Sequence, residues 1–276
     1  MGTMTPFSDH AALKRHRARA LRLDGDRFLH RMAFDDIRDR LAVINKSFTA
    51  PAAVADFADP WADLAEGTVL VPDAEVLDIE PGAHDLVVSA FNLHWAADPV
   101  GHLIQLRRAL RPDGLMIAVA FGGRTLAELR SAMAEAEVAV SGGLSPRVAP
   151  MADIRDLGAL LQRAGFALPV ADSDPLTVEY RSIRHLVRDL RAMGETNALT
   201  GRLRHATRRR IFDEAERIYR SPHPSGTGLH ATFEVVTLTG WAPHASQPKP
   251  LRPGSATARL ADALGVPEGR IPGPDD

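Results

Sequence analysis

Two short apolar runs constrain this chain more than any other feature of its sequence. Asp85–Phe91 (DLVVSAF) and Leu115–Phe121 (LMIAVAF) lack the alternation of a strand with one wet face. Each therefore reads as a strand buried on both sides in a parallel sheet. Between them, Pro99 to Leu110 predicts a helix, because Pro99 suits the first turn and Leu103, Leu106 and Leu110 share a face. Arg111-Pro-Asp-Gly114 is turn chemistry, with Pro112 presetting φ and Gly114 free to take φ > 0. Strand, helix, strand in this order is a βαβ unit, whose crossover is almost always right-handed. The fold class is α/β.

The other segments extend this frame. Residues 7–46 read as helix from the recurrence of Leu13, Leu21, Phe28, Met32, Ile37, Leu41 and Ile44, and Thr68–Val71 is a short β-branched run. Two further helical patterns cover Thr125–Val140 and Ala152–Ala164, the second closed by Gly165. Residues 176–180 and 230–240 read as an antiparallel edge, and helices near Ile183–Met193 and Leu203–Tyr219 form an insertion, about 181–228, before the last strand. One domain is expected over residues 1–245. From Pro243 onward seven of 34 residues are proline, so 246–276 is expected to be a disordered tail.

Composition excludes several function classes. The 276 residues contain no cysteine, which removes disulfide scaffolds, Cys-ligated metal sites and thiol nucleophiles. A formal charge of −2 argues against a general nucleic-acid binder. The eleven histidines show no H-x-H or H-x₃-H spacing, so no metal is expected. The longest apolar run is far short of the roughly 20 residues that span a bilayer. Lys14, Arg15, Arg17, Arg19 and Arg22 face one acid, Asp9, in the first 23 residues. Such a start suits either an organelle transit peptide or a helix with a solvated basic face. Only Lys14, Lys46 and Lys249 of the 33 bases are lysine, a bias that suits a GC-rich bacterial genome, and with no secretory stretch a cytoplasmic bacterial protein is expected. From Ser47 to Leu106, 60 residues carry no Lys or Arg, which suits a solvated acidic face or a cationic ligand.

Asp73-Ala-Glu-Val-Leu77, Asp85-Leu-Val-Val-Ser89, Leu93-His-Trp95, Asp98 and Arg108-Ala-Leu-Arg-Pro-Asp-Gly114 form an ordered series. It resembles the central strands of the class I S-adenosylmethionine-dependent methyltransferases, near the malonyl-carrier-protein methyltransferases. Phe121–Arg130, Gly142–Pro146, Asp156–Gly158, Arg163–Phe166, Met193-Gly-Glu-Thr-Asn197, Gly240-Trp241 and His244–Gln247 narrow the likeness. They resemble the methyltransferase-like assembly factors of respiratory complex I and their bacterial relatives, from about Phe7 to Ala256. The resemblance implies a Rossmann-like sheet and a cofactor site at Asp73, Ala74, Phe91 and Asn92, with Asp73 on the adenine amino group. It also implies a substrate pocket at His94, Trp95, Phe121 and Gly122, and a protein client, a complex I subunit.

One part of the family pattern is absent. The cofactor normally sits on a glycine loop after the first strand and on an acid ending the second. The interval from Ile44 to Asp73 holds one glycine, Gly67, and Ser47–Val71 is 25 residues, room for one βα step rather than two. Phe48–Asp56 reads as a vestigial first strand, with Asp56 or Asp59 as substitute carboxylates. Each charge-assisted hydrogen bond lost is worth roughly 1.5–3 kcal/mol. Losing both elements weakens cofactor binding by about 3–6 kcal/mol, on the order of 10²–10⁴ in Kd.

The sequence thus favours a shortened cofactor lobe with weak or absent S-adenosylmethionine binding in an assembly factor, cytoplasmic or peripheral at the inner membrane. An active methyltransferase with an atypical pocket is the alternative. Asp73 can equally be a strand-end acid, Trp95 a core residue, and Phe121-Gly122-Gly123 a simple turn. Residues 181–220 hold 11 arginines against five acids. They suit a solvated face or docking to an acidic protein or anionic membrane, with Arg208–Arg210 first to test, and too few aromatics accompany them for a nucleic-acid platform.

Overall fold

The computed structural model describes residues 7–23, 25–220 and 228–248. Residues 249–276 of the proline-rich tail and 221–227 of the insertion lie outside the described residues. The chain divides into two units, Met1–Pro243 and His244–Asp276. The described part of the second is a short turn in which the His244 N–H donates to Gln247 Oε1 at 3.1 Å.

The first unit opens with α1 (His10–Ala20) and α2 (Phe28–Val43), two helices where the apolar recurrence predicted a continuous helical stretch. The break at 21–27 coincides with Gly25, where a Cβ would stand 2.3 Å from Ala192 Cβ. The sheet then collects β1 (Pro51–Val54), β2 (Val69–Val71), β3 (His84–Ala90), β4 (Leu110–Phe121), β5 (Ala167–Tyr180) and β6 (Leu229–Trp241) in the spatial order 2-1-3-4-6-5. Strands β2, β1, β3 and β4 run parallel, and β6 lies antiparallel between β4 and β5.

The two apolar runs behave as doubly buried strands must. Leu86, Val88, Leu115, Ile117, Val119 and Phe121 point into one core with α2, α4 (Ala127–Ser141), α6 (Ile183–Ala192) and α7 (Arg209–Arg220). Val87, Met116, Ala118 and Ala120 point to the opposite core, under α3 (Pro99–Ala109) and α5 (Ile154–Arg163). The turn chemistry at Arg111–Gly114 proved to be a bulge inside β4, since His84 pairs with Leu110 but Leu86 pairs with Leu115. Asp113 rather than Gly114 takes the positive φ, 62°, because an Asp side chain tolerates the left-handed region. The edge pairing is longer than predicted, running the full length of β5 against β6.

Between β1 and β2 the chain makes a single parallel step through a short 3₁₀ turn, Trp61–Asp63, anchored by a fully buried Trp61. The interval therefore holds one crossover without an α-helix. No described helix is long and apolar enough to cross a membrane.

Candidate functional site

In an open parallel sheet, ligands bind beyond the carboxyl ends of the strands, where the strand order reverses. Here that point lies between β1, which leads outward to β2, and β3, which leads the other way to β4. The crevice beyond these ends is filled by Arg17. Helix α1 starts at Asp9, whose carboxylate accepts from the Ala12 N–H at 2.9 Å, and it turns Leu13, Arg17 and Ala20 inward. Lys14, Arg15 and Arg19 are exposed, as a solvated basic face requires, but Arg17 is 4% exposed and breaks that pattern.

The Arg17 guanidinium touches the ends of three strands. Nη1 donates to Asp56 Oδ2 at 2.7 Å, to Asp73 Oδ2 at 3.0 Å and to Asn92 Oδ1 at 3.1 Å. Nη2 donates to the Phe91 carbonyl at 3.0 Å. Phe91 has left-handed backbone (φ 55°), a strained state of the kind that collects at such sites. Asn92 is oriented from behind by its Nδ2, which donates to the Val54 carbonyl at 2.8 Å. Asp56 is held too, with Oδ1 accepting from the Asp73 N–H at 3.0 Å. Burial alone would push the Arg17 guanidinium down, but Glu195, Asp56 and Asp73 outweigh it and hold it above its ordinary range.

Glu195 links this cluster to a second one. Its Oε2 accepts from Trp95 Nε1 at 2.7 Å and lies 3.1 Å from His94 Nε2, with the Glu195 and His94 side chains at most 6% exposed. Burial pushes the Glu195 carboxyl up, but His94, Arg17 and Trp95 outweigh that and keep it below the usual range. The His94 ring stands 4.9 Å from Phe121 and 5.6 Å from Trp95, and its Nδ1 is buried with no hydrogen-bond partner. The segment carrying Glu195 passes close because residue 194 is glycine. Gly194 has φ +79°, and a Cβ there would meet Arg17 Cγ at 2.8 Å.

The structure places the residues assigned from sequence as follows. Asp73, Phe91 and Asn92 converge on Arg17. Ala74 lines an adjoining cleft of about 220 Å³ with Asp73, His10, Asp98 and His102. Trp95 and Phe121 face an apolar cavity of about 210 Å³, with the His94 ring tilted against both. Gly122 packs under β6, where its N–H donates to the Glu234 carbonyl at 2.8 Å and a Cβ would meet Glu234 at 2.7 Å. Sequence reasoning missed Arg17 and Glu195. Glu195 stood inside the Met193–Asn197 word, but Arg17 had no signal beyond its place in a basic helix. Among the described residues no group of three or more His, Asp or Glu is placed to hold a metal ion.

A mostly parallel sheet with helices on both faces and a crevice at its switch point defines a Rossmann-like α/β protein. Residues 43–118 match the family described as Methyltransferase domain (Methyltransf_11). The chain is 39% identical over 190 residues to "Arginine-hydroxylase NDUFAF5, mitochondrial" of Dictyostelium discoideum, covering 68% of this chain and 43% of that protein. To the Danio rerio protein of the same name it is 37% identical over 194 residues, covering 70% and 60%. It is 36% identical over 182 residues to the malonyl-(acyl-carrier protein) O-methyltransferase of Laribacter hongkongensis (strain HLHK9), covering 66% and 59%. The chain thus spans between 43% and 60% of the length of these relatives. It belongs to the class I S-adenosylmethionine-dependent methyltransferase superfamily.

Proposed function

We propose that this chain is a degenerate methyltransferase-like assembly factor that binds S-adenosylmethionine weakly or not at all and acts on a protein client. The client class follows from the likeness, noted in the sequence, to the assembly factors of respiratory complex I. The work is done in a bacterial cytoplasm or at the inner face of the inner membrane.

The observation that carries the reading is Arg17. A class I methyltransferase keeps the carboxyl-end crevice for the adenosyl group, and Asp73 is the acid that would meet the adenine. Here Asp73, Asp56, Asn92 and the Phe91 carbonyl already accept from one guanidinium. An adenosyl group and Arg17 cannot share those acceptors, and the cofactor's own sulfonium charge would be repelled by the guanidinium. Residues 55–68, where a glycine loop, a helix and a strand would stand, hold only Gly67 and a 3₁₀ turn. The residues as arranged therefore do not fit the group.

The name borne by the first relatives makes an arginine of the client the side chain to examine. Calorimetry with S-adenosylmethionine and S-adenosylhomocysteine tests the cofactor half of the reading. No saturable heat at millimolar ligand is expected. A Kd near the low end of the 1 μM–1 mM range common for enzymes would establish the active-methyltransferase alternative instead. Deleting the gene tests the client half, with a fall in assembled complex I expected. Normal complex I level and activity would remove it.

A further inference from the structure

Beside the crevice, on the sheet face covered by α4, α6 and α7, lies the cavity of about 210 Å³ onto which Trp95 and Phe121 open. Leu129, Met133, Val187, Phe212 and Phe233 complete its apolar wall. The polar groups that reach it from the inner side are already bonded. Glu195 takes Trp95 and His94, and Asn197 Nδ2 donates to the Pro146 carbonyl at 2.8 Å while its Oδ1 accepts from the Leu199 N–H at 3.0 Å. Arg147 spends its guanidinium on Glu137 and on Thr207 Oγ1, the latter at 2.7 Å. A space whose polar lining is satisfied favours an apolar guest.

The outer end has the opposite chemistry. Val187, Arg191, Thr207 and Phe212 line both the cavity and a surface depression bordered by Arg184, Arg188 and Arg209. Two acids stand near these arginines: Asp213, 3.4 Å from Arg184 and 3.8 Å from Arg209, and Asp189, which feels the Arg188 charge from the same helix but also bonds Tyr180. Arg188 and Arg191 make no ion pair among the described residues and are exposed on α6. An apolar interior therefore opens at a rim with surplus positive charge.

We infer that this cavity binds the hydrocarbon tail of a single-chain anionic amphiphile, such as a medium-length fatty carboxylate, with its head on Arg191 and Arg188. The volume lies below the roughly 300–1,000 Å³ of ordinary ligand pockets, which suits one short chain and not a two-chain lipid. Neither a cofactor in the crevice nor a protein client is needed for this binding, so its failure leaves the assembly-factor reading untouched.

Titrating the full chain with decanoate, decanol, decyltrimethylammonium and inorganic phosphate, by calorimetry at low ionic strength, tests the assignment. Decanoate saturates one site. Decanol binds about tenfold more weakly or worse, and decyltrimethylammonium and phosphate do not saturate. Arg191→Glu raises the decanoate Kd by about tenfold or more, whereas Arg210→Glu, on the same basic segment but away from the cavity, changes it less than about twofold. Ala149→Phe, which fills the cavity from a buried wall position, abolishes binding. Where that variant does not fold, Arg191→Glu at the exposed rim decides alone. No saturation at millimolar decanoate, equal binding of decanol and decanoate, or indifference to Arg191→Glu overturns the inference. Retention on phosphatidylglycerol vesicles without decanoate binding would also overturn it, assigning the arginines to a bilayer surface.

Discussion

Arg17 donates to Asp73 at 3.0 Å from within the crevice at the sheet's carboxyl edge, and both side chains are at most 7% exposed. This one contact joins a helix outside the sheet to an acid at the carboxyl end of β2. A buried charge of this kind is tolerated because two carboxylates, an amide oxygen and a main-chain carbonyl accept from it. It therefore makes the N-terminal helix part of the site.

Replacing Arg17 is expected to be severe. Arg17→Ala strips the counter-charge from the buried Asp73 and the half-buried Asp56, and breaking a buried pair costs about 3–5 kcal/mol. Arg17→Lys recovers only part of this, since an ammonium cannot reach two carboxylates, Asn92 and the Phe91 carbonyl from one planar fork. Urea midpoints of the two variants check the order. Equal midpoints for Lys and Arg at position 17 would mean the fork geometry contributes nothing.

Gly194→Ala should destabilise through backbone and packing together. The position has φ +79°, and the added methyl would press on Arg17 Cγ at 2.8 Å and on Phe57 Cζ at 3.1 Å. A left-handed non-glycine residue costs on the order of 1–3 kcal/mol before the contact is counted. Thermal unfolding of Gly194→Ala beside Gly142→Ala separates the two terms. Gly142 has φ +67° but open space around its Cβ position, so the smaller loss belongs there.

The fold was legible where burial dictates residue type. Doubly buried β3 and β4 must be apolar along their whole length, and no surface chemistry can mimic that. The missing crossover was legible too, because chain length bounds what 25 residues can span. Arg17 was not legible. Four bases surround it in sequence with the same side chain or the same charge, and only the three-dimensional approach of Asp56, Asp73 and Asn92 from separate strand ends distinguishes it. The helix break at 21–27 was missed for a similar reason. It coincides with the close approach of Gly25 to Ala192, residues far apart in sequence.

Glu137 fixes the wall of the apolar cavity. Burial pushes its carboxyl up, but hydrogen bonds from Arg147 and Ser145 outweigh this and keep it below the ordinary range. Glu137→Gln keeps the shape and removes the charge, with an expected loss of about 1.5–3 kcal/mol, that of a charge-assisted hydrogen bond. Because Arg147 and Thr207 line the cavity, the same variant should loosen it. Faster amide exchange on the 145–151 segment, measured beside the stability, checks this. Unchanged exchange with lost stability would confine the role of Glu137 to folding.

His30 should make stability depend on pH. Its ring is buried, its Nδ1 accepts from Trp61 Nε1 at 3.0 Å, and the Phe91 ring stands 4.8 Å away. Burial, opposed by Glu195 and reinforced by Arg17 and Arg27, pushes its pKa down to about 3 from an ordinary 6.5. Above pH 6.5 the imidazole is neutral in both folded and unfolded chains and adds no pH dependence. Below it the unfolded chain takes up a proton that the folded one refuses, so stability falls as pH drops from 6.5 toward 3, with a limiting slope of about 1.4 kcal/mol per pH unit. Glutamine at this position can still accept from Trp61 but does not titrate. Urea unfolding of the parent and His30→Gln chains at pH 7.5, 6 and 5 should therefore show the parent losing stability faster by about 1 kcal/mol per pH unit below pH 6. Parallel curves would mean that His30 is protonated in the folded chain, with the Trp61 hydrogen bond broken or reversed.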